Sequence, residues 1–311
     1  MMTPFTPKRL CIVSFDVDLL IYTSQKIQKL IVNTPRSIVY FLGGSLPFRA
    51  ALHLRQLTLL GMIARLGDDH LVSHARYVLI SKKPSCKSWF WQVRDLCLLY
   101  NLDHPLAILE TPKEKQEFKK LIKSKVISYW ENRLRLEANS LESLEFFHPA
   151  YMSLTTPHPI WSTPGGNPYE VTKAVQQARL VSGRYRTERL ASHWSKNKEG
   201  FCLTGSCTKE VETVSHMLIA CPAYQETRKQ LCALWLSSAD PHVLLLVIET
   251  LTGSPKNLLQ FVLDCSTVPS VILATQRHGF SILQKLFYLT RTWCFSIHRK
   301  RLKILGRWNP Q

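Results

Sequence analysis

Apolar residues recur at spacings of three and four along most of this chain and few segments alternate with period two, which predicts a mainly α-helical fold. The clearest run, Pro47 to Leu66, has a proline near its start, where a missing N–H costs little, and Gly67 just after its end. Ala51, Leu52, Leu59, Leu60, Ile63 and Leu66 are expected to line its core face. A second helix is expected from Ser88 to Tyr100, with Trp89, Phe90 and Trp91 as core anchors. The most polar long helix is expected from about Pro112 to Glu137, opened by Thr111 and Pro112. It alternates Lys119, Lys120, Lys123 and Lys125 with Leu121, Ile122, Val126 and Ile127, which gives one packed face and one basic face.

After Phe147 the pattern breaks into a stretch whose proline and glycine density rules out continuous helix, and His148 to Asn167 reads as a linker or boundary. Helices resume at Pro168 to Ser182, Thr187 to Trp194, Gln225 to Leu236, His242 to Thr252 and about Phe280 to Gly306. The predicted organisation is a helical, basic domain over 46–147, the linker over 148–167, a basic Cys/His-containing region over 168–238 and a C-terminal helical region with a basic tail over 239–311. The architecture is thus a bundle-like region followed by a small metal-binding helical one.

Composition changes the picture in two ways. Of 311 residues, 45% are apolar, enough for a real core, while 40 Lys and Arg against 22 Asp and Glu leave a net charge of +18. That excess favours a polyanionic partner through counterion release. Nine cysteines are an odd number without a secretory signal, so metal ligation and reduced thiols fit better than a disulfide framework. The apolar stretch Leu10 to Tyr22 is interrupted by Asp16 and Asp18, and Val243 to Ile248 is far shorter than the ~20 residues of a membrane span. The chain therefore reads as soluble and intracellular, in cytoplasm or nucleus, with no membrane partner and no small-molecule substrate.

The chemistry concentrates in Cys202-x4-Cys207-x8-His216-x4-Cys221. Two thiols around a tight turn at Gly205, followed by a His and a Cys about one helical turn apart, supply four ligands for one tetrahedral zinc. Thr213 is expected to cap the helix that presents His216 and Cys221, with Leu218 and Ile219 turned into the neighbouring core. A closed four-ligand site is structural rather than catalytic. Just upstream lie Arg184, Arg186, Arg189, Lys196 and Lys198, interleaved with Tyr185, His193 and Trp194. Arginine forks suit phosphates and aromatic rings suit unpaired bases, so these residues, with Lys119, Lys120 and Lys123, are candidate RNA- or DNA-binding positions. The terminal run His298, Arg299, Lys300, Arg301, Lys303 and Arg307 is a further candidate for phosphate binding or nuclear targeting.

The words H-L-R-Q-L-T-L-L-G-M-I-A-R-L, S-W-F-W-Q-V-R-D-L-C-L-L-Y, Y-M-S-L-T-T-P-H-P-I-W, S-G-R-Y-R-T-E…H-W and E-T-V-S-H-M-L-I-A-C-P resemble, in this order, the region downstream of the reverse transcriptase in animal non-LTR (LINE-type) retrotransposon proteins. The resemblance covers roughly Pro47 to Trp235, and the last block resembles half of that family's zinc knuckle. It implies that residues 1–45 are a truncated start or the tail of a thumb region. It also implies binding of RNA or target DNA beside an upstream polymerase domain. The family's paired-aspartate tetrad is missing: Asp68-Asp69 reads as a helix cap, and Asp16 and Asp18 lack a second acidic motif. The expectation is a binding segment with no catalytic core of its own, its alternatives being a helical protein-interaction scaffold or a relic without function.

Overall fold

A computed structural model of the chain describes residues 34–66, 88–193, 199–207 and 209–307. Asp16, Asp18, Gly67, Asp68, Asp69, Trp194, Lys196 and Lys198 lie outside the described residues. Among those described are thirteen α-helices, five short 3-10 or π turns and, as β pairing, a single isolated antiparallel bridge between Phe201 and Val211. The first five helices are α1 (Arg36–Gly43), α2 (Phe48–Ala64), α3 (Trp89–Leu99), α4 (Pro105–Glu110) and α5 (Lys115–Asn139). α5 buries Phe118, Ile122, Val126, Trp130, Leu134 and Ala138, one residue in four, and leaves Lys119, Lys120 and Lys123 exposed as the sequence pattern predicted, with Leu121, Lys125 and Ile127 half-buried. Its start differs from expectation: Thr111 ends α4, and the Glu114 carboxylate caps α5 by accepting from the N–H groups of Gln116 and Glu117 at 2.6 and 3.1 Å.

α2 buries Leu60 and Ile63 as expected, but the rest of its inward face differs. Ala50, His53, Leu57, Leu60, Gly61 and Ala64 are buried, while Leu52 and Leu59 point outward. The helix is apolar on nearly every side, so periodicity alone had no preferred face to report. What selects the face is Gly61, where α2 approaches α5 so closely that an added methyl would overlap the Phe118 ring. Behind it, Tyr100 accepts from the Trp130 indole at 3.0 Å and sits 2.6 Å from Nδ1 of the buried His53. Of the three aromatics opening α3, Phe90 is buried, Trp89 is half-buried against the core, and Trp91 lies under Arg94.

The segment 148–167, read as a linker, is a packed strap. It contains the short α6 (Pro159–Ser162) and buries Met152, Leu154, His158, Ile160 and Trp161. Glu131 of α5 accepts from the Leu154 N–H and the Ser153 hydroxyl, and Arg135 donates to the carbonyls of Pro149 and Met152. The strap crosses over Gly44 so tightly that any side chain there would collide with the backbone of Thr156 and Pro157. Gly44 also holds a left-handed φ of 58°, which glycine adopts without steric cost.

Beyond the strap come α7 (Pro168–Val181), α8 (Glu188–Ser192), α9 (Gln225–Leu236), α10 (Pro241–Thr252), α11 (Pro255–Asp264), α12 (Pro269–His278) and α13 (Phe280–Ile304). α13 lies at the centre of this half, packed by α7, α9, α10, α11 and α12. It buries Leu286, Phe287, Trp293, Cys294 and Ile297, with Trp235 packed on Trp293 and Phe261 edge-on to Trp235. The apolar periodicity does not show α1, α4, α6, α11 or α12. For α11 the signal was present: Ser254 caps it and Pro255 fills its first turn. Pro255–His278 is long and apolar enough to cross a membrane by length and composition, with a mean hydropathy of 1.5. Here it is broken between α11 and α12 by the turn Cys265–Thr267, and the Asp264 carboxylate at the break is fully buried.

That carboxylate joins the strap to the C-terminal half. His158 Nδ1 accepts from the Ile160 N–H, so the ring proton resides on Nε2, 3.2 Å from an Asp264 oxygen. Burial alone would push the Asp264 carboxyl up. The His158 ring, the Ser266 hydroxyl and the Ser266 N–H reverse this and hold it below the usual carboxylate range. A depressed folded-state value contributes stability above the unfolded-state carboxylate range, and the contribution is lost as pH falls through the folded value. Urea unfolding is therefore expected to show a steeper loss of stability below about pH 4 in wild type than in Asp264→Asn. The variant is expected to be weaker by about 2 kcal/mol at neutral pH.

Candidate metal centre

The sequence between α8 and α9 folds back on itself in a short loop. Cys202 N–H donates to the Glu210 carbonyl at 2.8 Å and Glu212 N–H to the Gly200 carbonyl at 2.9 Å, which closes a hairpin around the Phe201–Val211 bridge. Gly205, at φ 71°, makes the turn between Cys202 and Cys207. Thr213 then accepts from the His216 N–H at 2.9 Å, the cap expected of it, and starts the helical turn that carries the other two ligands.

That turn is not an α-helix. Residues His216–Ala220 form a π-turn, and Cys221 N–H donates to the His216 carbonyl at 2.7 Å. Five residues along an α-helix would leave His216 and Cys221 about 140° apart around the axis. The wider i→i+5 turn brings the fifth residue back over the first, so an x4 spacing puts both ligands on one side. Met217 and Leu218 go into the core, Ile219 packs at its edge, and the Leu218 carbonyl accepts from the Trp293 indole of α13 at 3.3 Å.

The result is a compact donor cluster. Sγ of Cys207 lies 3.5 Å from Sγ of Cys221 and 3.4 Å from Nε2 of His216, and Sγ of Cys202 lies 3.9 Å from that of Cys221. All four donor atoms are within 4.8 Å of one another. A tetrahedral ion with metal–sulfur bonds of about 2.3 Å has sulfur–sulfur edges of roughly 3.8 Å, whereas a disulfide would bring two sulfurs to about 2.0 Å. Cys202, Cys207, His216 and Cys221 can therefore hold one metal ion. The seven described cysteines are all free of disulfides. Burial, followed by the neighbouring Cys221 thiol, pushes the Cys207 thiol up to about 12.

Two residues around the ligands were not foreseen. Glu210 lies 2.9 Å from His216 Nδ1, so the imidazole proton is held on Nδ1 and Nε2 is free to face the sulfurs. The Thr204 hydroxyl sits 3.2, 3.9 and 3.6 Å from the sulfurs of Cys202, Cys207 and Cys221, placed to donate to thiolates. Both lie inside the Cys-to-His interval, but no spacing rule distinguishes them from other polar loop residues. On the far side, Arg228 of α9 donates to the Cys221 carbonyl at 2.7 Å.

The loop is bound to α13 by a buried ion-pair cluster. Arg301 makes a two-pronged contact with Glu212, Nε to one oxygen at 2.8 Å and Nη2 to the other at 2.7 Å, and reaches Glu188 at 3.3 Å. All three residues are at most 3% exposed. The Glu188 N–H closes the cluster on Glu212 at 2.7 Å, and Arg307 approaches Glu188 at 3.5 Å.

This changes the reading of several candidate binding residues. Tyr185 is buried with its hydroxyl 2.8 Å from His298 Nδ1, so its ring faces the core and not a base. Burial, with Arg301 and Arg179 nearby, pushes His298 down to about 4 and leaves it neutral. Within the terminal basic run, His298 and Arg301 thus serve packing, whereas Lys300 and Lys303 remain exposed. Arg186, Arg189 and His193 are exposed and Arg184 half-buried, while Lys119, Lys120 and Lys123 line the outer face of α5.

Removing one ligand leaves three donors that cannot close the shell. Cys207→Ser and His216→Ala are each expected to lose bound metal together with helical signal, read by elemental analysis and circular dichroism of the whole chain. Glu210→Gln should keep the fold and weaken metal affinity on the order of tenfold in a chelator competition. Arg301→Met, which strands two buried carboxylates, should cost about 3–5 kcal/mol in urea unfolding. Set against protein family models, curated proteins and solved structures, the chain matches none of them.

Proposed function

We propose that this chain is a nucleic-acid-binding segment that carries one structural zinc and performs no reaction of its own. The observation that carries the reading is the donor cluster together with the unpaired cations beside it. Three thiols and an imidazole at tetrahedral spacing are the donor set zinc favours, and four protein ligands complete its shell. The ion would hold the loop against α13, a contribution on the order of 10 kcal/mol. Next to that loop, Arg184, Arg186 and Arg189 form no ion pair among the described residues even though Glu188 stands between them, because Glu188 is directed inward to Arg301. Inward carboxylates, the exposed Arg186 and Arg189 and the half-buried Arg184 leave a surface suited to phosphates.

The resemblance to the region downstream of the polymerase in LINE-type proteins supports the same reading. Two of its words, S-G-R-Y-R-T-E and E-T-V-S-H-M-L-I-A-C-P, supply Glu188 and Glu212, the two carboxylates that clasp Arg301. On this reading the partners are RNA or target DNA and the polymerase domain of a parent polyprotein, in cytoplasm or nucleus.

One observation favours the interaction-scaffold reading: Phe48, Leu52, Leu59 and Met62 share a solvent-facing side of α2, with Phe48 74% exposed. The two readings separate in one experiment on the purified whole chain, combining zinc content with fluorescence anisotropy on single-stranded RNA and DNA over a salt series. One equivalent of zinc and affinity that falls steeply with salt are expected. Arg184→Ala with Arg186→Ala should flatten the logarithmic salt slope by about 1 for each phosphate the variant no longer engages. A zinc-free folded chain, or a salt slope untouched by the double variant, overturns the proposal. Zinc retained without salt-dependent binding favours the scaffold.

A further inference from the structure

A cleft of about 700 Å³ opens beside the metal loop, between α8, the first turn of the His216 helix, the N-terminus of α11 and the turn that follows α5. Its floor is apolar, made by Leu180, Val181 and Leu259, with Phe146 at its wall. Its rim is charged in two kinds. Arg189 of α8 and Lys256 of α11 bring cations, with His193 beside Arg189, whereas Glu142 and Glu145 bring carboxylates. None of the four charged side chains forms an ion pair among the described residues. Opposite charges that share a rim and stay apart leave their capacity for a ligand with both an anionic and a donor-bearing end.

Resting on the nucleic-acid reading above, we propose that this cleft holds one unpaired nucleotide of a single strand. The base enters toward Phe146 and the apolar floor, and the flanking phosphate lies on Arg189 and Lys256. The volume is within the few hundred to a thousand Å³ of small-ligand sites. An aromatic wall over an apolar floor suits a base face, and a guanidinium with an ammonium suits its phosphate. The two carboxylates exclude phosphate from their side and accept hydrogen bonds from an exocyclic amine, so the strand enters in one orientation and bases that carry an amine are preferred. The walls include Thr213, Val214 and Ser215, which begin the turn that ends in the ligand Cys221, so a formed metal loop is a condition for a formed cleft.

The test uses the whole zinc-loaded chain and single-stranded probes, about 12 nucleotides long, of oligo(A), oligo(C) and oligo(U). Arg189→Glu with Lys256→Glu is compared with Lys229→Glu with Arg277→Glu, an equal change of charge outside the cleft. Leu190→Trp fills the cleft without altering charge. The cleft pair is expected to lose at least about tenfold more affinity than the control pair. Leu190→Trp should also lose affinity while keeping the wild-type salt slope and zinc content, and oligo(A) and oligo(C) should outbind oligo(U) unless Glu142 and Glu145 are both changed to Gln. Equal losses in the cleft and control pairs, or wild-type affinity in Leu190→Trp, overturn the cleft alone. Equal affinity for the three probes overturns the orientation. Absence of salt-dependent binding in wild type overturns the nucleic-acid reading and this inference with it.

Discussion

Arg301 is the residue on which the C-terminal half depends. Its guanidinium, near the end of α13, is out of water and matched on both prongs by Glu212, with Glu188 as a further partner. Carboxylates buried together repel each other and lose hydration, and neither would be tolerated without this cation. The cluster therefore contributes less to net stability than to choice of arrangement. Glu212 belongs to the metal loop, Glu188 to the start of α8 and Arg301 to the last helix, and only one mutual placement satisfies all three. An apolar core could accept the loop in several rotations about α13. An ion triad with a two-pronged contact accepts one.

With that placement fixed, the metal loop is assembled from both sides. Local chemistry supplies the hairpin, the glycine turn and the Thr213 cap. The π-turn needs more, since a wider ring is less favourable than an α-helical one and leaves a carbonyl exposed to the core. Trp293 donates to the Leu218 carbonyl and Arg228 to the Cys221 carbonyl, so α13 and α9 hold the distorted turn open. The ligand geometry is thus a joint product of loop and helical scaffold, and the loop taken out of the chain would lack the partners that shape it.

The strap plays the same part for the two groups of helices. Glu131 and Arg135 on one turn of α5 hold its backbone, the His158–Asp264 pair ties it to the break between α11 and α12, and Gly44 gives it room to cross α1. Further along, Arg291 and Lys173 share Glu170, and the Gln177 amide donates to the carbonyls of Val262 and Leu263 and to Thr290. These buried polar contacts lie within one continuous hydrophobic cluster that runs from Ile38 to Ile297. Apolar burial holds the halves together, and directional contacts set how they meet.

The sequence by itself determined that the fold is helical, where its main helices run and which four side chains can share a metal. Each of these is written in local order: a three-to-four apolar period, a capping threonine, a pair of thiols around a glycine. It placed Leu60 and Ile63 on the buried face of α2 but not the rest of that face, because the helix is apolar on nearly every side and the approach of Phe118 to Gly61 breaks the tie. It misread the proline-rich strap, since proline density forbids long helix but says nothing about burial. It counted Tyr185, His298 and Arg301 among surface candidates, because charge and aromaticity are visible in a sequence and solvent exposure is not. Partners 89 to 128 positions apart, such as Arg301 with Glu212 and Arg291 with Thr163, are set only when the chain closes on itself. The free energy of burying those groups depends on the completed surroundings, which no window of sequence contains.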